Sequence, residues 1–121
     1  MIRLIKRNFL IRSVIQDKFG GPEVLKIGNR EISAEPDSNS IRVKVHFTAL
    51  NRADLLQREG KYPNQKNILN LGLECSGHVT KVGSNVDNIA VGTAVMALLD
   101  GGGYSEYVDV PAALEIYGPR P

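Results

Sequence analysis

Leu71-Gly72-Leu73-Glu74-Cys75-Ser76-Gly77-His78-Val79, with Val82-Gly83-Ser84-Asn85-Val86 close behind, is the stretch on which the fold turns. From Leu73 onward the chain reads as strands at about 73–82, 92–99 and 104–110, separated by Gly83-Ser84-Asn85 and Asp100-Gly101-Gly102-Gly103. Gly77 reads as a point of close backbone packing and Gly83 as a tight turn. Upstream, Ile41, Val43, Val45 and Phe47 alternate with Arg42, Lys44, His46 and Thr48, the pattern of a half-buried strand with one wet face. A short strand over Ser13–Asp17, turn chemistry at Phe19-Gly20-Gly21-Pro22 and a second strand from about Val24 to Ile32 precede it. Asn51 suits a helix N-cap, Asp54 the third helical position and Gly60 a terminator, which predicts about two turns of helix over Arg52–Glu59. Many short strands punctuated by turns predict a mainly β chain, a barrel or sandwich with one or two short helices.

At 121 residues there is room for one domain, with enough buried surface for an independent core. The chain is 42% hydrophobic and 23% charged, an ordinary globular composition, and no run approaches the ~18 apolar residues of a membrane span. The net charge is +2, but Arg3, Lys6, Arg7 and Arg12 fall within an acid-free first sixteen residues. Without them the acids outnumber the bases, so nucleic-acid binding by the body of the chain has little support. The leader has Ile2, Ile5 and Phe9 at helical spacing beside its cations, as in a mitochondrial transit segment; the alternative is a plain N-terminal extension in a cytoplasmic protein. The single cysteine, Cys75, excludes an internal disulfide and a cysteine-built zinc site.

Four segments now combine: Phe47-Thr48-Ala49-Leu50-Asn51-Arg52-Ala53-Asp54, Gln57-Arg58-Glu59-Gly60-Lys61-Tyr62, Val91-Gly92-Thr93-Ala94-Val95-Met96-Ala97, and Gly101-Gly102-Gly103-Tyr104-Ser105-Glu106-Tyr107-Val108. With the opening stretch they resemble the N-terminal catalytic domain of the medium-chain dehydrogenase/reductase superfamily. The Asn51–Tyr62 segment is most similar to the zinc-independent quinone oxidoreductases, in particular their stress-inducible NADPH:quinone reductase branch. The resemblance implies a GroES-like, partly open β-barrel over residues 14–114, after a basic leader at 1–13 and before a truncated tail at 115–121. It also implies that the Rossmann domain, which follows in that family, is absent here. The family's glycine-aspartate turn reads Gly92-Thr93 in this chain, a change a turn tolerates.

What the resemblance implies for chemistry starts with metal. Zinc-dependent relatives place a cysteine ligand where Asn51 stands and a histidine where Leu73 stands; an amide is a feeble zinc ligand and leucine has no donor, so no metal is expected. Ala53 occupies the place of the proton-relay hydroxyl of alcohol dehydrogenases. Asn51 is implied to face the nicotinamide and the substrate carbonyl, where its amide would stabilise developing charge, while capping the helix with its oxygen. Tyr62 is implied to lie over the quinone pocket. NADPH is the implied cofactor and a quinone or enone the implied substrate, with little turnover expected of these residues alone. The alternative is a non-catalytic module that associates with full-length relatives.

The remaining candidates read as structural. Gly101–Gly103 is expected to be a hairpin turn, because a dinucleotide fingerprint needs a helix to follow. Arg52 and Asp54 are expected to make local surface contacts on the short helix. His46 and His78 each lack a second ligand at metal-binding spacing and Cys75 reads as a small buried hydrophobe, so none of them is assigned a catalytic role.

Overall fold

The structure, a computed structural model, describes residues 7–63, 70–113 and 116–118. Its strands are β1 (Asn8–Ile15), β2 (Lys26–Ser33), β3 (Ser40–Thr48), β4 (Glu74–Val82), β5 (Ala94–Leu98), β6 (Tyr107–Pro111) and β7 (Ile116–Tyr117). One α-helix, α1 (Arg52–Glu59), and a 3-10 turn at Pro22–Val24 complete the described elements. The strands form two open antiparallel sheets, β1-β2 and β6-β3-β4-β5-β7. Two backbone hydrogen bonds join them and together make the Ser13–Ser105 bridge: Val14 N–H to the Tyr104 carbonyl at 2.8 Å, and Glu106 N–H to the Arg12 carbonyl at 3.1 Å. Mainly β structure with one short helix agrees with the sequence reading; among the described residues the sheets do not close into a complete barrel.

The core is built by alternation. Ile41 and Val43 on β3, Cys75 and Val79 on β4, Val95 and Ala97 on β5, and Val108 and Val110 on β6 form one buried cluster. Cys75 is thus buried as expected. Gly77 meets its expectation too, since a Cβ there would run into the Lys44 carbonyl of the neighbouring strand. Helix α1 begins at Asn51 and stops at Gly60, whose φ of 76° and ψ of 19° are the left-handed conformation that glycine adopts without penalty.

Several expectations fail for definite reasons. β1 starts at Asn8, five positions before the anticipated Ser13, so Phe9 and Arg12 of the basic segment are strand residues paired to β2. Residues 1–6, Leu114, Glu115 and 119–121 lie outside the described set. Strand β3 keeps its alternation only in part. Arg42, expected on the wet face, is 4% exposed because its guanidinium is neutralised by Asp109 on β6, with Nε to Oδ1 at 2.7 Å and Nη2 to Oδ2 at 2.9 Å. Phe47, expected inside, is 75% exposed because the register with β4 slips between Val45 and Phe47. Such a bulge turns every later side chain to the other face. Gly101–Gly103 is not a hairpin turn: β5 and β6 are not sheet neighbours, and Gly102 and Gly103 instead donate to the carbonyls of Leu71 and Gly72.

Candidate functional site

The bulged end of β3 opens a groove. Phe47, Thr48 and Ala49 line one side and Met96, Ala97 and Leu98 the other, with Glu74, Cys75 and Ser76 between them and a volume of about 360 Å³. Cross-strand register explains this set, since Thr48 faces Cys75, Phe47 faces Ser76, and Ser76 faces Met96. The rim is apolar and wet: Phe47, Met96 and Leu98 are all at least half exposed. Singly exposed apolar residues are ordinary, but several converging on one concavity mark a binding surface. The groove's polar edge is fixed by Thr48, whose Oγ1 donates to the Glu74 carbonyl at 2.7 Å.

Just beyond Thr48 the chain turns into α1, and that turn is anchored by Asp54. Its Oδ2 accepts the Asn51 backbone N–H at 2.6 Å, while the Asp54 N–H donates to the Asn51 carbonyl at 3.0 Å. The same oxygen accepts the Tyr104 hydroxyl at 2.7 Å, and that hydroxyl lies 3.3 Å from the Ala49 carbonyl. Asp54 is therefore not the surface residue the sequence suggested; it is 8% exposed, and its Oδ1 has no partner among the described residues. Burial, and then the hydrogen bond to Asp54, push the Tyr104 hydroxyl well above the ordinary tyrosine range, so it stays a protonated donor. The helix dipole adds to the preference for a carboxylate at this end.

Asn51 is exposed at the N-cap of α1, three residues past Thr48, with its backbone held by Asp54. Tyr62 is half-buried in the turn after α1. Neither lines the apolar groove, so the two residues singled out from sequence flank the helix and the groove is formed by neighbours the sequence did not nominate. Of the positions that hold zinc in dehydrogenases, Asn51 offers an amide and Leu73 none, and no cluster of three or more His, Cys, Asp or Glu exists among the described residues. Burial raises the Cys75 thiol to about 11, which keeps it protonated at neutral pH and unsuited to nucleophilic work.

Two residues missed by sequence reasoning meet beside the groove. His46 Nε2 and His78 Nδ1 are 3.4 Å apart, with ring centroids 4.9 Å apart and planes at 62°. They are 32 positions apart in the chain, so only the β3–β4 register, not any local spacing, could have revealed them. The burial of Asp54 had one faint signal, its place at the third position of a helix whose N-cap is Asn51.

Comparison with known proteins adds four findings. The family model of the alcohol dehydrogenase GroES-like domain matches residues 37–119. The quinone oxidoreductase of Sus scrofa is 37% identical over 93 residues, covering 74% of this chain and 28% of the relative. The human synaptic vesicle membrane protein VAT-1 homolog-like protein superposes with a TM-score of 0.83 at 29% identity, covering 91% of this chain and 35% of that one. A mycobacterial protein solved in complex with NADPH superposes with a TM-score of 0.77 at 26% identity, covering 90% of this chain and 34% of the other. The chain thus spans about a quarter to a third of the proteins it matches.

Proposed function

Because this chain belongs to the alcohol dehydrogenase GroES-like family of the medium-chain dehydrogenases/reductases, we propose that it forms the substrate-lining portion of a zinc-independent, NADPH-dependent quinone or enone oxidoreductase. The observation that carries this reading is the open apolar groove between Phe47 and Leu98, whose lining ends at Ala49, two residues before the exposed Asn51. The likeness to quinone oxidoreductases and to an NADPH-bound structure supports it. Independence from zinc rests on the donor set, an amide at Asn51 and a hydrocarbon at Leu73.

The described residues fit only one end of the cofactor. Gly101–Gly103 leads into Ser105 and β6, not into a helix, so it provides no helix N-terminus for a pyrophosphate. Bound NADPH supplies a hydride, and with one proton from solvent a quinone becomes a hydroquinone. The chain's own contribution is shape and polarity. Phe47, Met96 and Leu98 take up the faces of the ring and keep water from it. The Asn51 amide, whose backbone is pinned by Asp54, donates to the carbonyl oxygen as it gains charge. Tyr62, in the turn after α1 and outside the groove lining, is assigned to the pocket by the family resemblance alone.

Titrating a methyl-labelled chain with a thiol-inert quinone tests the reading. Met96 and Leu98 methyl signals should shift saturably, and the chain by itself should consume no NADPH. Unmoved groove signals, or NADPH consumption by these 121 residues, would overturn it. In a reductase built with this segment, Asn51→Ala should lower kcat by about 10²-fold with KM little changed, the loss typical of one oxyanion donor.

A further inference from the structure

We infer that His46 and His78 form a two-histidine chelate for a divalent late transition metal, zinc by its angle, on the outer face of the β3–β4 ladder. Two nitrogens each ~2.0–2.1 Å from a tetrahedral zinc ion are held about 3.4 Å from one another. His46 Nε2 and His78 Nδ1 are 3.4 Å apart. As a hydrogen bond that separation is long, since ring N–H donors are most often about 3 Å from their acceptors. As the separation of two ligands on one cation it matches the tetrahedral value.

The strand geometry produces this bite. Lys44 is the register partner of His78, and Val45 is the partner of Gly77. Then the register slips, and His46 becomes the extra residue of the bulge, with Phe47 taking Ser76 as the next partner. An extra residue re-aims its side chain, here sideways over His78. Both histidines are exposed and border a hollow of about 380 Å³ that also has Ser76 and Met96 in its wall. Water fills the remaining coordination positions. A site with two protein ligands and open positions exchanges its metal readily, unlike a closed four-ligand structural site. Lys44, the register partner of His78, is a neighbouring cation, and the field of Glu106 opposes its charge. This site is separate from the two dehydrogenase zinc positions at Asn51 and Leu73 and does not depend on the proposed reductase reading.

The chain contains only 2 histidines, which makes the test clean. Calorimetric titration with Zn²⁺ alone should give one ion per chain. His46→Ala and His78→Ala should each weaken binding by at least about tenfold, and the double variant should be little worse than either single one, because a chelate is lost with its first ligand. Both side chains are exposed, so the variants keep their fold. As a check that needs no substitution, the two imidazole signals in the NMR spectrum should move together and finish at one equivalent of Zn²⁺. Binding that survives either single substitution, losses that add as for two independent sites, or imidazole signals that move separately would overturn the chelate.

Discussion

The two halves of β3 have the same alternating sequence and opposite fates. Ser40 to Val43 are buried on both faces of the sheet, whereas His46, Phe47 and Thr48 are exposed. The difference lies in the neighbours. The first half pairs with β4 on one side and β6 on the other, and the β6 pairing ends at Lys44 and Tyr107. Beyond that point only the Val45 N–H, bonded to the Glu106 carbonyl at 2.9 Å, still ties β3 to that side, and the bulge at His46 follows; the slip within the first half, between Arg42 and Val43, skips Thr80 of β4 and leaves β3 paired on both sides. A strand gripped from both sides can bury even a guanidinium, provided that its partner carboxylate lies on the adjacent strand. Released from one side, the same strand can twist, and its side chains become available for binding.

The largest effect should come from the gripped half. Ile41→Ala removes a fully buried side chain from the centre of the core and should cost about 3–4 kcal/mol, measured by denaturant unfolding. If it costs less than about 1 kcal/mol, the first half of β3 is not the keystone described here. Next comes Asp109→Ala, which strands the buried Arg42 charge. The usual loss for one partner of a buried pair is about 3–5 kcal/mol, and because the Asp109 side chain is 32% exposed we expect about 2 kcal/mol. A double variant that also replaces Arg42 with methionine should recover much of it.

Cys75, opposite Thr48 where the two halves of β3 diverge, gives a pH test. Burial raises its thiol from an ordinary value of 9.0 to about 11. The folded state therefore holds the proton more tightly than the unfolded one. The stability this contributes is fully present below pH 9 and is lost as the pH rises toward 11. Alkylation of the native protein by iodoacetamide should lag that of the urea-unfolded chain at pH 9 and approach it only near pH 11. Equal rates at pH 9 would mean that the groove floor admits reagent freely. The smallest stability effect should be Phe47→Ala, within about 0.5 kcal/mol, accompanied by weaker quinone binding in the methyl titration. A large loss of stability there would erase the contrast between the two halves.

Much of the fold was legible because it rests on local chemistry. Helix α1 was bounded by Asn51 and Gly60, and β3 and β4 by periodicity and turn residues, to within a residue of their observed ends. What escaped depends on pairing between distant strands. No local pattern says that Arg42 will meet Asp109, that Asp54 will receive the Tyr104 hydroxyl, or that a bulge will turn Phe47 outward and bring His46 to His78. The hairpin assigned to Gly101–Gly103 failed for the same reason, since adjacency in sequence was taken for adjacency in the sheet. Of the site, the sequence located the helix cap at Asn51 and the turn at Tyr62 but not the groove between Phe47 and Leu98, because a groove wall is assembled from three strands and has no signature in any one of them.

The Ser13–Ser105 bridge has a consequence for the order in which the molecule is made. Of the described strands β1 is made first, and it can pair with β2 as soon as residue 33 has emerged. Its contacts to Tyr104, Ser105 and Glu106 must wait for some seventy residues more, during which Phe9, Leu10 and Ile27 remain on a two-stranded ribbon that is marginal alone in water. The first-made strand of this fold is thus among the last to be secured, and it is there that a chaperone would have longest to act.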